Sequence, residues 1–357
     1  MQSNKAMTPI VSNTSFERLC AVDDYISFIW ARRYYDVGDF EIVISMASPS
    51  VAYMRQGYYV MRDGIDEVGI IEQLAITKDL NNQETLVVTG RFLSSILGRR
   101  IIATQTQVSG TVEACIKKLV NENAISPSNT NRVLPGLQYG TWSIPAVQME
   151  QQFTGKNLLD VLQDICKSNN IGFRVDLTSN NAFSLVLYAG VNRSYSQSAN
   201  PYVVFSNDYD NLASADYSED YKNIATDVLV AGEGEGAARK TVWASKATNS
   251  GLNRYEIFID ARNASTNNGQ ISDATYTAQL REEGLENISG VIQAFAGNVY
   301  LNNLTLGVDF NVGDIVVIEN TRWGVGANAR LVEVIESVNE AGVYTVTPTF
   351  DIGNTAL

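Results

Sequence analysis

The sequence predicts a mainly β, multidomain chain with an α+β insertion. Three observations predict it. Residues 1–100 carry short apolar runs broken by turn residues, as strands do. Between Val112 and Cys166 the apolar spacing twice changes to that of an amphipathic helix. From Tyr202 onward strand-like runs return, with room for one helix. A length of 357 residues exceeds one ordinary domain and suits roughly two to four, with sizeable cores.

The first apolar run covers residues 25–35. Gly38-Asp39 offers a turn into residues 40–44, where Phe40, Ile42 and Ile44 share one face. Residues 57–61 lead to Arg62-Asp63-Gly64, and Asp-Gly is a strong hairpin signal. Residues 68–77 follow, and Asn81-Asn82 turns the chain into residues 85–90. Strands this short and closely spaced predict a small barrel or sandwich.

The period then changes. Val112, Cys115, Ile116, Leu119 and Val120 recur at i, i+3, i+4, i+7 and i+8, a helix with Ser109 or Thr111 as its cap. Leu158, Val161, Leu162, Ile165 and Cys166 repeat the spacing. Thr154 is the candidate cap of that helix, and Asn169-Asn170 its candidate end. Pro127, Pro135 and Pro145 predict loop or edge structure between the helices. Residues 171–177 and 183–188 flank Thr178-Ser179-Asn180-Asn181 as a hairpin, completing an α+β unit over residues 101–195. Beyond it, residues 202–205, 227–231 and 255–259 read as strands. A helix is expected from its cap Ser272 to about residue 288, with Gly284 unfavourable in its second half. Residues 292–299, 315–319, 330–336 and 343–347 complete a β-rich ending. No internal repeat or low-complexity tract is present.

Composition narrows the function classes. There is no histidine, so the commonest general base and the commonest metal ligand are both missing. Serine–histidine catalysis and histidine-ligated zinc are excluded within one chain. A net charge of −13 argues against a nucleic-acid-binding face but permits a channel through which DNA merely passes. Three cysteines, Cys20, Cys115 and Cys166, imply no disulfide framework; the latter two sit on apolar helix faces and read as buried thiols. No secretory signal and no apolar stretch of about 20 residues is present, so no membrane span is expected.

The candidate motifs are each better read structurally. Gly232, Gly234 and Ala237 fit a loose G-x-G-x-x-A fingerprint. The next residues, Ala238-Arg239-Lys240-Thr241-Val242-Trp243, do not read as a helix, and Glu233 and Glu235 would repel phosphate, so a turn between strands is the better account. Asp208, Asp210, Asn211, Asp216, Glu219 and Asp220 crowd one stretch but miss the calcium-loop spacing, because Leu212 and Ala213 stand where an oxygen and a glycine are needed. Glu282 and Glu283 are adjacent, hence on different helix faces. Trp30-Ala31-Arg32-Arg33-Tyr34-Tyr35 mixes basic and aromatic residues as nucleic-acid platforms do, but reads first as a strand. No Gly-x-Ser-x-Gly elbow, Cys-x-x-Cys pair or phosphate loop occurs. No catalytic, cofactor-binding or metal-binding residue is assigned.

A series of short segments, in order, carries a resemblance. It includes Asp24-Tyr25-Ile26-Ser27-Phe28-Ile29-Trp30, Arg33-Tyr34-Tyr35, Gly90-Arg91-Phe92-Leu93-Ser94-Ser95-Ile96-Leu97, Thr154-Gly155-Lys156-Asn157-Leu158-Leu159-Asp160 and Ile171-Gly172-Phe173. It continues through Val204-Phe205-Ser206, Tyr221-Lys222-Asn223, Asp260-Ala261-Arg262, Gly313-Asp314-Ile315-Val316 and Ala329-Arg330-Leu331-Val332-Glu333-Val334. The chain resembles the tail-hub, or tail-associated lysin, family of long-tailed siphophages of Gram-positive hosts, similar to the central hub of contractile-phage baseplates. The resemblance implies a first tube-like β-barrel domain at 1–100, the α+β domain at 101–195, and a β-rich region at 196–357 holding a second tube-like barrel and one helix. It implies a homotrimer at the virion tail tip, two barrels per subunit, docked on a sixfold ring. Its implied partners are the distal tail ring protein, the tape-measure protein, and receptor-binding or other baseplate proteins. DNA would pass without specific binding. No catalytic residue carries over, no cofactor is implied, and any hydrolase is expected on another polypeptide. A tail-tip cell-wall hydrolase and a receptor- or carbohydrate-binding tail module are the competing functions; the 17 Tyr, 12 Phe and 4 Trp permit the latter.

Overall fold

The computed structural model of the chain describes residues 7–352 apart from 80–81, 213, 215, 291, 297 and 300–303. One 13-stranded sheet dominates. From one end its path runs through Asp216–Asp220, Ile292–Ala296, Tyr344–Asp351 and Val325–Val338. It continues through Ser27–Arg33, Asp39–Ser45, Glu84–Phe92, Gly69–Lys78, Tyr59–Met61, Ile10–Ser12 and Arg18–Ala21. Every neighbouring pair on this path is antiparallel. Ile315–Asn320 branches off Val325–Val338 and takes Val204–Ser206 as a parallel partner. The strands expected at residues 315–319 and 330–336 therefore pair as a hairpin, with Ile315 opposite Arg330 and Val316 opposite Ala329.

The first and last β regions thus share one sheet. Ser27–Arg33 pairs with Val325–Val338, from Arg33 opposite Glu333 to Phe28 opposite Val338. Two cores lie along it. One gathers Phe28, Trp30, Phe40, Ile42, Ile44, Val60 and Val88. The other gathers Tyr34, Phe205, Phe295, Phe310, Leu331 and Phe350. Phe40, Ile42 and Ile44 share the buried face, as their alternation requires. The turn at Asn81-Asn82 lies partly outside the described residues; Asn82 has φ 62°.

A third core belongs to the α+β unit. Helix α1, Val112–Val120, is capped by Thr111, whose hydroxyl accepts from the Ala114 N–H, and its five spaced apolar residues are all buried. Helix α2, Leu158–Ser168, is capped by Asn157, not Thr154. Asn157 sits directly before the first helical residue and accepts from the Leu159 N–H at 2.9 Å; Thr154 lies too far upstream. Both helices pack with a small sheet of Gly172–Leu177, Phe183–Tyr188 and Leu137–Tyr139. The proline-marked region holds edge structure as well as loop: Gln148–Phe153 pairs with Thr106–Thr111 in a two-stranded sheet. Its alternation buries Met149, Gln151 and Phe153, a period hidden from a hydrophobicity reading because the middle residue is polar.

The fourth core sits between helix α3, Asp273–Glu286, and a sheet of Thr241–Ser245, Asp227–Ala231 and Glu256–Asp260. Ser272 caps α3 as expected, accepting from the Thr275 N–H. Gly284 is present for closeness: a Cβ there would lie 2.5 Å from the Ala244 Cβ and 2.9 Å from a Val230 methyl. In an open helix, Gly284→Ala would gain about 1 kcal/mol. Here the overpacking costs roughly 1–3 kcal/mol, so the net effect is destabilising. Thermal melting of this variant is expected to show a lower midpoint; a higher one would contradict the packing account.

Candidate functional site

The feature that best defines this molecule is a junction where its units meet. Tyr34 is its pin. The strand Ser27–Arg33 delivers Tyr34 into a fully buried position. Its hydroxyl donates to the Asn170 carbonyl at 2.9 Å and accepts from the Gly190 N–H at 3.2 Å. The Arg330 guanidinium lies over its ring at 5.3 Å from the centroid, and the Tyr188 ring meets it edge-on. Burial pushes the Tyr34 phenol above its ordinary pKa, so it stays a neutral donor.

Glycines make room for this ring. A Cβ on Gly172 or on Gly313 would lie 2.3 Å from a Tyr34 ring carbon, and Gly313 also has φ 98°. A Cβ on Gly190 would lie 1.8 Å from the Gly313 carbonyl oxygen. Asp314, next along, is buried. It accepts from the Val191 N–H at 2.7 Å, Arg193 Nε at 2.9 Å and the Asn311 N–H at 2.9 Å. Three segments that carry the family resemblance, Arg33-Tyr34-Tyr35, Ile171-Gly172-Phe173 and Gly313-Asp314-Ile315-Val316, therefore converge on one point.

Beside the pin, the seam carries a buried charge cluster. Glu336 accepts from Arg32 at 3.0 Å, from Arg62 at 3.0 and 3.1 Å, and from the Tyr344 hydroxyl at 2.9 Å. Arg62 lies over the Trp30 ring at 5.6 Å. Arg33 bonds Glu333 and Asp39, each at 2.6 Å. Burial by itself would raise the Glu336 pKa. The Arg62 hydrogen bonds and the Arg32 and Arg62 charges outweigh it and hold the carboxyl below the usual range. A crevice here is lined by Arg32, Arg33 and Arg174, yet each is paired with a carboxylate, Arg174 with Asp176 at 2.8 Å. The arrangement holds units together rather than presenting charge. Sequence reasoning missed Glu336. The signal was there: strand period two places it between Val334 and Val338, on the buried face.

The other candidates take structural places. Trp30 is buried in the first β core and Arg32 and Arg33 are spent on the seam, so that run is a strand and not a platform. The Gly232–Gly236 loop is a turn followed by the short helix Gly236–Ala238. The Glu233 carboxylate accepts from the Thr266 N–H at 2.7 Å and from its hydroxyl at 2.9 Å, which lowers its pKa. In the acidic stretch Glu219 accepts from Tyr221, and among the described residues no three acidic or thiol groups converge on a metal position. Ala213 of that stretch lies outside the described residues. Glu283 pairs with Lys156 at 3.6 Å. Cys115 and Cys166 are buried, with burial pushing both thiols up. No described helix is long and apolar enough to cross a membrane.

Solved phage tail proteins share this architecture. The tail protein from Neisseria meningitidis MC58 superposes with a TM-score of 0.59 over 97% of this chain and 96% of its own, at 15% identity. The 43 kDa tail protein of prophage MuSo2 from Shewanella oneidensis gives 0.59 over 96% and 98%, at 13% identity. A chain of the Francisella PdpA–VgrG complex gives 0.51 over 99% of this chain and 59% of its own, at 7% identity. At such identities the likeness establishes the fold. No curated protein matches in sequence. The class is that of the phage tail proteins of siphovirus type. Within it, the chain belongs to the Siphovirus ReqiPepy6 Gp37-like protein family, whose model matches residues 9–351.

Replacing Glu336 by Gln leaves two buried guanidinium groups without their counter-charge, an expected loss of about 3–5 kcal/mol. The pH dependence has a definite sign. The folded Glu336 binds its proton more weakly than the unfolded one. Its stabilisation is therefore present above the ordinary glutamate range and is lost as pH falls through the lowered folded value. Acid titration of stability should show the wild-type chain losing this increment on acidification and Glu336→Gln lacking it from the start. Equal acid slopes for the two proteins would count against the assignment.

Proposed function

We propose that this chain is a structural, non-catalytic hub subunit at the tail tip of a siphovirus. Three copies form a ring that closes the tail and adapts a sixfold tube or distal ring to threefold symmetry. The ring guides the tape-measure protein and the DNA outward and carries receptor-binding or other baseplate proteins. The observation that carries this reading is the single sheet in which a β region from each end of the chain is joined edge to edge. A subunit with two β units side by side is what a threefold ring needs to face a sixfold one. The collinear family match supports it. So does the spending of buried charge on internal pairs rather than on a reaction centre.

A second reading, a glycan-binding tail module, is favoured by one observation. Trp243 and Phe258 stand exposed on either side of Leu229 on the three-stranded sheet. Arg254 and Arg239 lie over those two rings, which leaves them less bare than a sugar platform. Binding of the purified chain to host cell walls separates the readings.

Two outcomes test the hub. A cryo-EM map of the virion should place three copies in a ring at the distal end of the tail; six copies, or one, would sink the proposal. The lumen of that ring should be neutral to acidic, in keeping with the chain's net charge of −13. A Lys- and Arg-lined lumen would bind phosphates with counterion release and retard ejection. Filter binding of duplex DNA to the assembled ring is therefore expected to be weak at low salt, and tight, salt-sensitive binding would contradict it.

A further inference from the structure

A second crevice lies between α3 and the strand Gln148–Phe153, at the contact between the fourth core and the α+β unit. Gln151, Lys156, Gln279, Glu283 and Glu286 line it. Gln279 is 3% exposed, and neither of its amide polar atoms has a protein partner. Gln151 is 4% exposed, and its amide oxygen is likewise unpartnered. Buried polar groups without partners are rare and point to something that satisfies them. Gln279, Glu283 and Glu286 stand at i, i+4 and i+7, one face of α3, and Gln151 faces them from the strand.

The electrostatics point the same way. Burial pushes Glu286 up to about 7. Glu282 and Asp164 push it further, while a hydrogen bond from Gln151 and the charge of Lys156 act against the rise. Asp164, on α2, is also raised, first by burial. Glu283 has Lys156 at 3.6 Å, a lysine whose side chain is 44% exposed. The crevice holds more carboxylate than it neutralises.

We propose that this crevice binds a hard divalent cation of calcium type, ligated by the amide oxygens of Gln279 and Gln151 and the carboxylates of Glu283 and Glu286. The donor set is all oxygen, which excludes a preference for zinc or copper. Neutral amide oxygens and an irregular frame suit calcium, which takes flexible coordination, better than magnesium, which demands a compact octahedron. With two carboxylates the site is a weak one, on the order of micromolar to millimolar. Lys156 occupies the position of a competing cation and, being a flexible point charge, swings to solvent when calcium enters. Bound calcium ties α3 to the strand Gln148–Phe153 and so stiffens one contact between units. The inference does not depend on the tail-tip reading.

The test is calorimetric titration of calcium chloride into the EDTA-treated full chain, with thermal melting in parallel. Saturable binding with a rise in melting temperature is expected. Glu286→Gln, which relieves repulsion and should fold, is expected to weaken binding by about tenfold or more. Lys156→Met is expected to tighten it. Glu219→Gln, remote from the crevice, should change nothing. Absence of saturable binding at millimolar calcium, equal affinity in Glu286→Gln, or equal binding of magnesium would each overturn the proposal.

Discussion

The pairing of Ser27–Arg33 with Val325–Val338 ties the two ends of the chain into one sheet. It joins residues 300 or more positions apart, as the Arg32–Glu336 bond records with a separation of 304. Closing such a loop costs entropy slowly with length but delays the contact until the chain is nearly complete. Everything between the two strands must therefore fold so as to deliver them edge to edge. The antiparallel ladder supplies direction. The Glu336 cluster supplies register, because a slip of one residue would turn Glu336 out of reach of Arg32 and Arg62.

Packing at the pin shows how little freedom remains once the ladder has formed. Tyr34 is large and carries a hydroxyl, so it needs both space and partners. Gly172 and Gly313 supply space, and Asn170 and Gly190 supply partners. Interiors at crystal-like density relax poorly, so each glycine is a specific requirement and not a default. The junction is thus a closely packed three-way contact.

The polar interior divides into two kinds. At the seam Arg32 and Arg62 share Glu336, and Arg193 meets Asp314, and the result is specificity of pairing rather than chemistry. In the crevice under α3 the Gln279 amide and the Gln151 amide oxygen have no partner, and one lysine faces two glutamates; that contrast makes the crevice the place to look for a ligand. Both features lie between units, where burial is created by assembly of the fold and not by any one element.

Much of the local structure was legible in the chain. Apolar spacing identified α1 and α2, because a helix stripe repeats regardless of what it packs against, whereas α3 was marked by its cap Ser272. Thr111, Ser272 and Asn169-Asn170 were readable as ends because caps act within one turn. The β character of both ends was readable from short alternating runs. Gln148–Phe153 and Thr241–Ser245 were not, since one buries a glutamine and the other exposes a tryptophan, which inverts the expected pattern. The cap at Asn157 was misplaced by three residues because two good capping types lay close together. Element type, the absence of histidine chemistry and the ordered segments that mark the family are all written in the chain's local patterns. The tertiary structure alone decided that Arg32 meets Glu336, that Tyr34 meets Gly313, and that Gln151 faces Gln279. Each of those meetings spans a long stretch of chain, and a local pattern carries no record of which distant side chain will share its burial.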